Sequence, residues 1–141
     1  YEPRAFVNPH SDPDTLYKTI QVLRFGITSL NEYKTLKAQL QTWIKEPANL
    51  ELQVMETSST TFGQLMQRVD NLDSWNHFVM LLVAAHVFER PIHIVTTLAS
   101  STNWQSEFIA SSSHLANQTF FVLCVDMVYF LPMVPAGQLN R

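Results

Sequence analysis

The chain has 141 residues, 46% of them hydrophobic and 15% charged, which excludes a disordered tail and allows one domain with its own core. A net charge of −3 without any cluster of Lys or Arg argues against a nucleic-acid-binding protein. The longest apolar run, HFVMLLVAAHVF, is too short to span a bilayer and contains two histidines. We therefore expect a single domain over residues 1–141 that contacts neither nucleic acid nor membrane.

The first third of the chain contains a proline-rich segment followed by two helical patterns. Three prolines within residues 1–14 predict an arm over residues 1–11 and then a turn. From Thr15, apolar residues recur at helical spacing and stop near Gly26. Residues 30–45 are more strongly amphipathic, with apolar and lysine-rich faces on opposite sides. Both segments are predicted to be helices.

The middle of the chain predicts a short helix and then a long one. Ser and Thr residues can cap a short helix around 60–69. Asp73 or Ser74 can cap the next helix, from Trp75 to about Phe88. That segment is apolar nearly all round, so we expect it to be central and buried.

The last third of the chain is rich in strand patterns. IHIVTT is β-branched and predicts a strand, and SEFIA is a weaker strand candidate. TFFVLCV and VYFLPMV are separated by Asp126 and Met127, which predicts a tight hairpin. Helices thus come first and strands after them, which indicates an α+β fold with helices packed on a small mixed sheet.

Cysteine and histidine offer the first candidates for catalysis or metal binding. Cys124, the single cysteine, excludes an internal disulfide and suits a reducing compartment, the cytoplasm or nucleus. It lies mid-strand among apolar residues, without the cationic neighbour that a reactive thiolate needs, so we interpret it as inert. His77 and His86 are nine residues apart, which is not a metal-binding spacing. We expect neither a metal nor a cofactor. The histidines are His10, His77, His86, His93 and His114.

Thr15 is a second candidate nucleophile, at the start of a predicted helix. Threonine acts in this way when it is the mature N-terminus and its own amine is the base, but Thr15 is internal. The competing interpretation is a helix N-cap or first-turn residue. Asp12 and Asp14 would then lie favourably near the positive end of the helix dipole.

Several blocks of the chain resemble the ovarian-tumour (OTU) family of papain-like cysteine proteases, which are deubiquitinases. DPDTLYKTI is similar to the family's nucleophile loop and helix, and EYKTLKAQLQTWI to the helix that follows. SWNHFVMLLVAAHVFERPIHIVTT is similar to the family's tryptophan-led helix and the next strand. FFVLCVDMVYFLPMV is similar to its closing hairpin. The resemblance covers roughly residues 11–135 and implies a papain-like OTU-type fold with a C-terminal hairpin.

The resemblance also implies that the catalytic residues have been lost. The family's nucleophilic cysteine falls on Thr15, its catalytic histidine on Val128, and the polar residue that orients this histidine on Phe130. The glycine of the nucleophile loop falls on Pro13, which has no N–H to offer an oxyanion. Asp12 is retained. We expect Val128 and Phe130 to fill the former site with apolar side chains, which would relieve buried polar groups there.

These positions predict a catalytically inactive OTU-like domain, not an enzyme. It would act as a protein–protein interaction module that binds ubiquitin or is a scaffold within a larger protein. Candidate interaction residues are Tyr129, which keeps the family's aromatic, with Trp75 and Asn76.

Two alternatives stay open at this point. The first is a hydrolase that uses Cys124 or Thr15 with a histidine brought in by the fold. The second is a dimerisation or assembly domain that self-associates through its strongly apolar last strand. An exposed edge strand would favour self-association, whereas alternating burial would make that strand part of the core.

Overall fold

Helices precede most of the strands in the computed structural model. It describes residues 2–3, 12–46, 61–67, 69, 71–98, 106–110 and 119–134. In chain order the elements are β1 (Glu2–Pro3), α1 (Thr15–Phe25), a 3-10 helix (Ile27–Glu32), α2 (Tyr33–Ile44), α3 (Thr61–Gln67), α4 (Leu72–Phe88), β2 (Ile92–Thr97), β3 (Ser106–Ala110), β4 (Phe120–Val125) and β5 (Tyr129–Val134).

The strands form one mixed sheet in the order β1-β5-β4-β2-β3. β2 and β4 are parallel, with Ile92 paired to Phe120, and the remaining neighbours are antiparallel. The predicted α+β architecture, with helices packed on a small mixed sheet and a C-terminal hairpin, is confirmed. β1 lies within the predicted arm and pairs with the end of β5. The rest of that arm lies outside the described residues.

The main core lies between the helices and one face of the sheet. α4 is its centre, as its uniformly apolar sequence predicts, because the helix is buried from Phe78 to Ala85 with few interruptions. Alternate residues of the central strands meet it, since side chains on one face of a strand are two residues apart. They are Ile92, Ile94, Phe120, Val122, Cys124 and Phe130.

A smaller apolar cluster covers the other face of the sheet. Val22, near the end of α1, packs there with residues of β2, β4 and β5, and Ile27 and Leu30 of the 3-10 helix join it. β5 is therefore buried on both faces and bordered by β1, so it is not the exposed strand that would favour self-association. The alternating burial expected for a half-buried strand is also absent, because a second layer packs on the strand.

Two local features differ from the sequence prediction. The N-cap of α4 is Asn71, whose side chain accepts hydrogen bonds from the N–H groups of Asp73 (2.8 Å) and Ser74 (3.2 Å). The helix therefore starts before both predicted caps. In the hairpin, Asp126 and Met127 have φ of 55° and 59°, the left-handed backbone typical of a tight hairpin turn. Val128 belongs to this turn, and β5 begins one residue later.

Candidate functional site

The loop before α1 is held by two ion pairs. Asp12 Oδ1 accepts a hydrogen bond from the N–H of Asp14 at 2.9 Å, and its other oxygen accepts from Lys18 Nζ one turn into α1. Asp14 accepts from Lys37 Nζ of α2 at 2.8 Å. Two lysines from two helices thus fix the loop that presents residue 15.

The charges of this loop stabilise one another. Burial would raise the pKa of Asp12, but hydrogen bonds from Lys18 and from the Asp14 N–H outweigh it, so this pKa lies below its ordinary value. The hydrogen bond to Asp12 raises the pKa of Lys18, and the bond to Asp14 raises the pKa of Lys37. Asp12 therefore holds the loop against the first turn of α1.

Thr15 is the first residue of α1 and is 2% exposed. Its Oγ1 accepts a hydrogen bond from the backbone N–H of Phe130 at 3.0 Å. The N-cap position is held by Asp14, which makes no side-chain capping bond. Thr15 is thus a first-turn residue, one of the two structural roles expected for it, and its hydroxyl connects α1 to β5.

This hydrogen bond also satisfies the outer edge of β5. Residues of an antiparallel pair alternate between facing the partner strand and facing away from it. Since the Phe130 N–H is directed to Thr15, the nitrogen of Pro132, two residues on, also faces away from β4 and carries no hydrogen to donate. Further along, β1 pairs with Met133 and Val134. The outward N–H of Phe130 and the segment paired with β1 therefore have partners, which leaves fewer free donors for pairing with another chain.

Phe130 and Val128 have different environments. Phe130 is fully buried, with the rings of Phe78 and His77 edge-on to it at centroid distances of 5.6 and 5.9 Å. Val128 is 58% exposed in the hairpin turn. Phe130 is thus a buried apolar side chain, whereas the expectation that Val128 also fills a buried position is wrong. The turn places residue 128 outside the core.

His77 lies close to the site, although its spacing gave no reason to assign it a role there. It lines an open cleft of about 440 Å³ with Pro13, Asp14 and Tyr17. Burial lowers its pKa, and the carboxylates of Asp73 and Asp14 only partly oppose this. Its only sequence signal is a shared helix face, because Ser74, His77 and Phe78 recur at helical spacing and all contact the hairpin.

Within the described residues, no histidine makes a hydrogen bond to Thr15. His86 stacks on Trp43 of α2 at 5.6 Å, and His93 packs beside Phe121 on the sheet at 5.3 Å. His10 and His114 lie outside the described residues. The same part of the chain contains no group of three His, Cys, Asp or Glu side chains that could hold a metal ion.

Cys124 is fully buried in β4, on the face covered by helices. Burial raises its pKa far above that of a free thiol, because desolvation disfavours a thiolate and the backbone hydrogen bond from Met127 opposes this only in part. The inert core role predicted for this residue agrees with its position. Within the described residues, neither Cys124 nor Thr15 is hydrogen-bonded to a histidine.

The candidate interaction residues divide by exposure. Trp75 and Asn76 are exposed at the start of α4, and Trp75 shows 37% of its surface. Tyr129 is only 8% exposed and packs in the cluster on the second face of the sheet, so the structure does not place it on a binding surface. No helix in the described part of the chain is long and apolar enough to cross a membrane.

Comparison with known proteins identifies the scaffold. A family model described as OTU-like cysteine protease matches residues 10–131. The chain belongs to this family. The crystal structure of the viral OTU domain protease from Qalyub virus is similar to this OTU domain, with a TM-score of 0.57 and 9% sequence identity. The alignment covers 95% of this chain and 83% of the viral one. At that identity the likeness establishes the OTU-type α+β fold alone. No curated protein matches the chain.

Proposed function

We propose that this OTU domain is catalytically inactive and acts as a protein–protein interaction module. One observation carries the proposal. The residue at the family's nucleophile position, Thr15, uses its oxygen as the acceptor for a backbone N–H of β5. In the described residues no histidine is bonded to this hydroxyl. A hydroxyl that accepts a structural hydrogen bond and has no base is not activated for nucleophilic attack.

The other parts of a cysteine-protease site support the same proposal. Such a site needs a thiolate, a base that generates it and shuttles a proton, and a group that orients the base. Here the position of the base is occupied by an exposed valine in a turn, Val128, and that of the orienting group by a buried phenylalanine, Phe130. Because these groups act as a unit, their combined loss costs orders of magnitude in rate.

The remaining thiol gives no support to a rearranged hydrolase. Cys124 is buried, and its raised pKa keeps it protonated at neutral pH. A free, protonated thiol suits an intracellular location, which we include in the proposal as cytoplasmic or nuclear.

Hydrolysis assays test the catalytic half of the proposal. The purified chain should leave ubiquitin dimers uncleaved and should not react with a ubiquitin-based electrophilic probe. Cleavage or probe labelling that is lost in Cys124→Ala would contradict it. A thiol reagent adds a second readout, because one cysteine per chain should react in denaturant and stay protected in the native protein.

An NMR titration tests the interaction half. The isotope-labelled chain should show saturable shifts with mono- or di-ubiquitin if ubiquitin is the partner. No shift at millimolar ubiquitin would remove ubiquitin and leave another protein, or a scaffolding role within a larger protein, as the target.

A further inference from the structure

Exposed apolar side chains are concentrated around the β4–β5 turn. In the described residues five large hydrophobic side chains are exposed, and one of them, Phe25, lies at the far end of α1 from Thr15. The other four lie in the turn itself or within two residues of a residue that is hydrogen-bonded to it. We call these four, Leu72, Trp75, Leu98 and Val128, the turn surface.

Two hydrogen bonds join the segments of the turn surface. Ser74 Oγ at the start of α4 donates to the carbonyl oxygen of Met127 at 2.8 Å. The N–H of Asp126 donates to the carbonyl oxygen of Thr97 at 2.9 Å. Leu72 and Trp75 lie on either side of Ser74, and Leu98 follows Thr97. Val128 lies in the turn itself. Three segments distant in sequence thus present exposed apolar side chains at one corner of the fold.

The backbone of this corner is held in place on both sides of the turn. α4 is capped by Asn71, and its next turns are buried in the core. The turn has a defined left-handed backbone at Asp126 and Met127 and is bonded on both sides. A preorganised surface loses little conformational entropy when a partner binds.

The charges of the turn surface have one sign. Asp73 and Asp126 are both exposed, and segments 71–76, 96–98 and 126–128 contain no Lys or Arg. Exposed apolar side chains that are grouped and not scattered are characteristic of an interaction site. Tryptophan is among the residues enriched at the energetic centre of such sites. Carboxylates at the rim select a partner of opposite charge.

We propose that the turn surface docks a protein partner whose contacting surface has apolar side chains flanked by Lys or Arg. Trp75 is the central anchor, and Asp73 and Asp126 attract the basic rim of the partner. The proposal rests on the interaction role proposed above and adds to it the surface and the chemistry of the partner.

The test uses two matched probes. One is a short amphipathic helical peptide of Leu and Lys, and the other has every Lys replaced by Glu. Titrated into the isotope-labelled chain, the Lys peptide should shift the Trp75 indole N–H and the amides of Leu98 and residues 126–128, with saturation. The Glu peptide should bind at least tenfold more weakly.

Variants then distinguish binding at the turn surface from non-specific binding elsewhere on the domain. Trp75→Ala should weaken binding of the Lys peptide by about tenfold or more. Phe25→Ala removes an aromatic side chain that is more exposed but lies elsewhere, and it should leave the affinity unchanged. The double change Asp73→Asn with Asp126→Asn should weaken binding several-fold and reduce its dependence on salt.

Four outcomes overturn the proposal. They are equal binding of the two peptides, no saturable shift, shifts centred on the cleft at His77, and shifts that appear on concentrating the free chain, since a second copy would then occupy the surface. None of them bears on the hydrolysis assay, and the ubiquitin titration judges the interaction role separately. Shifts centred on His77, in particular, would be compatible with an interaction module but would place its binding surface at the cleft.

Discussion

Thr15 Oγ1 accepts a hydrogen bond from the Phe130 N–H at 3.0 Å, across 115 positions of sequence. The two residues occupy positions that, in the OTU resemblance, belong to the nucleophile and to the group that orients its base. The contact is a structural hydrogen bond between the first turn of α1 and the outer edge of β5. This hydrogen bond is a joint between two elements of the fold.

The joint should contribute measurably to stability. Thr15→Val keeps the shape of the side chain but removes the acceptor, which leaves a buried N–H without a partner. An unsatisfied buried donor costs roughly 1–3 kcal/mol, and we expect the free energy of unfolding to fall by about that amount. Chemical denaturation with two-state fitting measures it.

Thr15→Ser is the matched control, because it keeps the oxygen and removes only a methyl group. It should cost about 1 kcal/mol from the lost buried methyl, and the Phe130 amide should stay protected from hydrogen exchange. In Thr15→Val the same amide should exchange faster. Equal protection in both variants would mean that the hydroxyl does not hold the strand edge.

Restoring the nucleophile alone should not restore hydrolysis. Thr15→Cys supplies a thiol at the start of α1, but no base is bonded to residue 15 in the described residues. We expect ubiquitin-dimer cleavage to stay at background, with an active cysteine-dependent OTU protease as the positive control. Robust cleavage would place a base near residue 15, and His77→Gln in the same background would show whether His77 supplies it.

The loop before α1 should show a pH-dependent contribution from Asp12. Its pKa is depressed in the folded chain, so its stabilisation is present above the usual value of roughly 3.9 and is lost as pH falls through the lower folded-state value. Asp12→Asn should therefore cost about 1 kcal/mol or less at pH 7, and its deficit relative to wild type should shrink below about pH 4.

Glu46→Gln is a suitable comparison for that titration, because Glu46 is exposed beyond the end of α2. The free energy of unfolding is measured for the three proteins from pH 7 to pH 3. The difference from wild type should shrink with falling pH for Asp12→Asn and should stay constant for Glu46→Gln. A constant deficit across this range would show that Asp12 acts through packing and not through its charge.

Sequence periodicity was sufficient to predict α1 and the buried part of α4. The spacing from Thr15 to Gly26 predicts α1, and the uniformly apolar run that ends at Phe88 predicts a buried central helix. Both exist because local pattern and tertiary packing favour the same structure. The start of α4 was misplaced because Leu72 begins the helix from an Asn cap, before the apolar pattern is established.

What the sequence could not predict depends on contacts between distant segments. Two-sided burial of β5 requires the end of α1 and the 3-10 helix to cover the second face of the sheet. The position of Tyr129 in that cluster follows from this layer and not from its own strand pattern. Likewise, His77 comes to the site only because the face of α4 that carries it packs on the hairpin.

Polar substitutions at Phe130 and Val128, made separately, should have very different consequences. Phe130→Asn introduces a polar side chain into a fully buried position against Phe78 and His77. The lost burial and cavity together should cost about 3–5 kcal/mol. Val128→His changes a side chain that is 58% exposed in a turn, and surface changes of this kind usually stay within about 0.5 kcal/mol. Thermal and denaturant unfolding of the two single variants measures the difference. Comparable losses would mean that residue 128 is packed in solution and that the site is closed over both positions. The expected asymmetry would instead mean that Phe130 is part of the core and that Val128 is not.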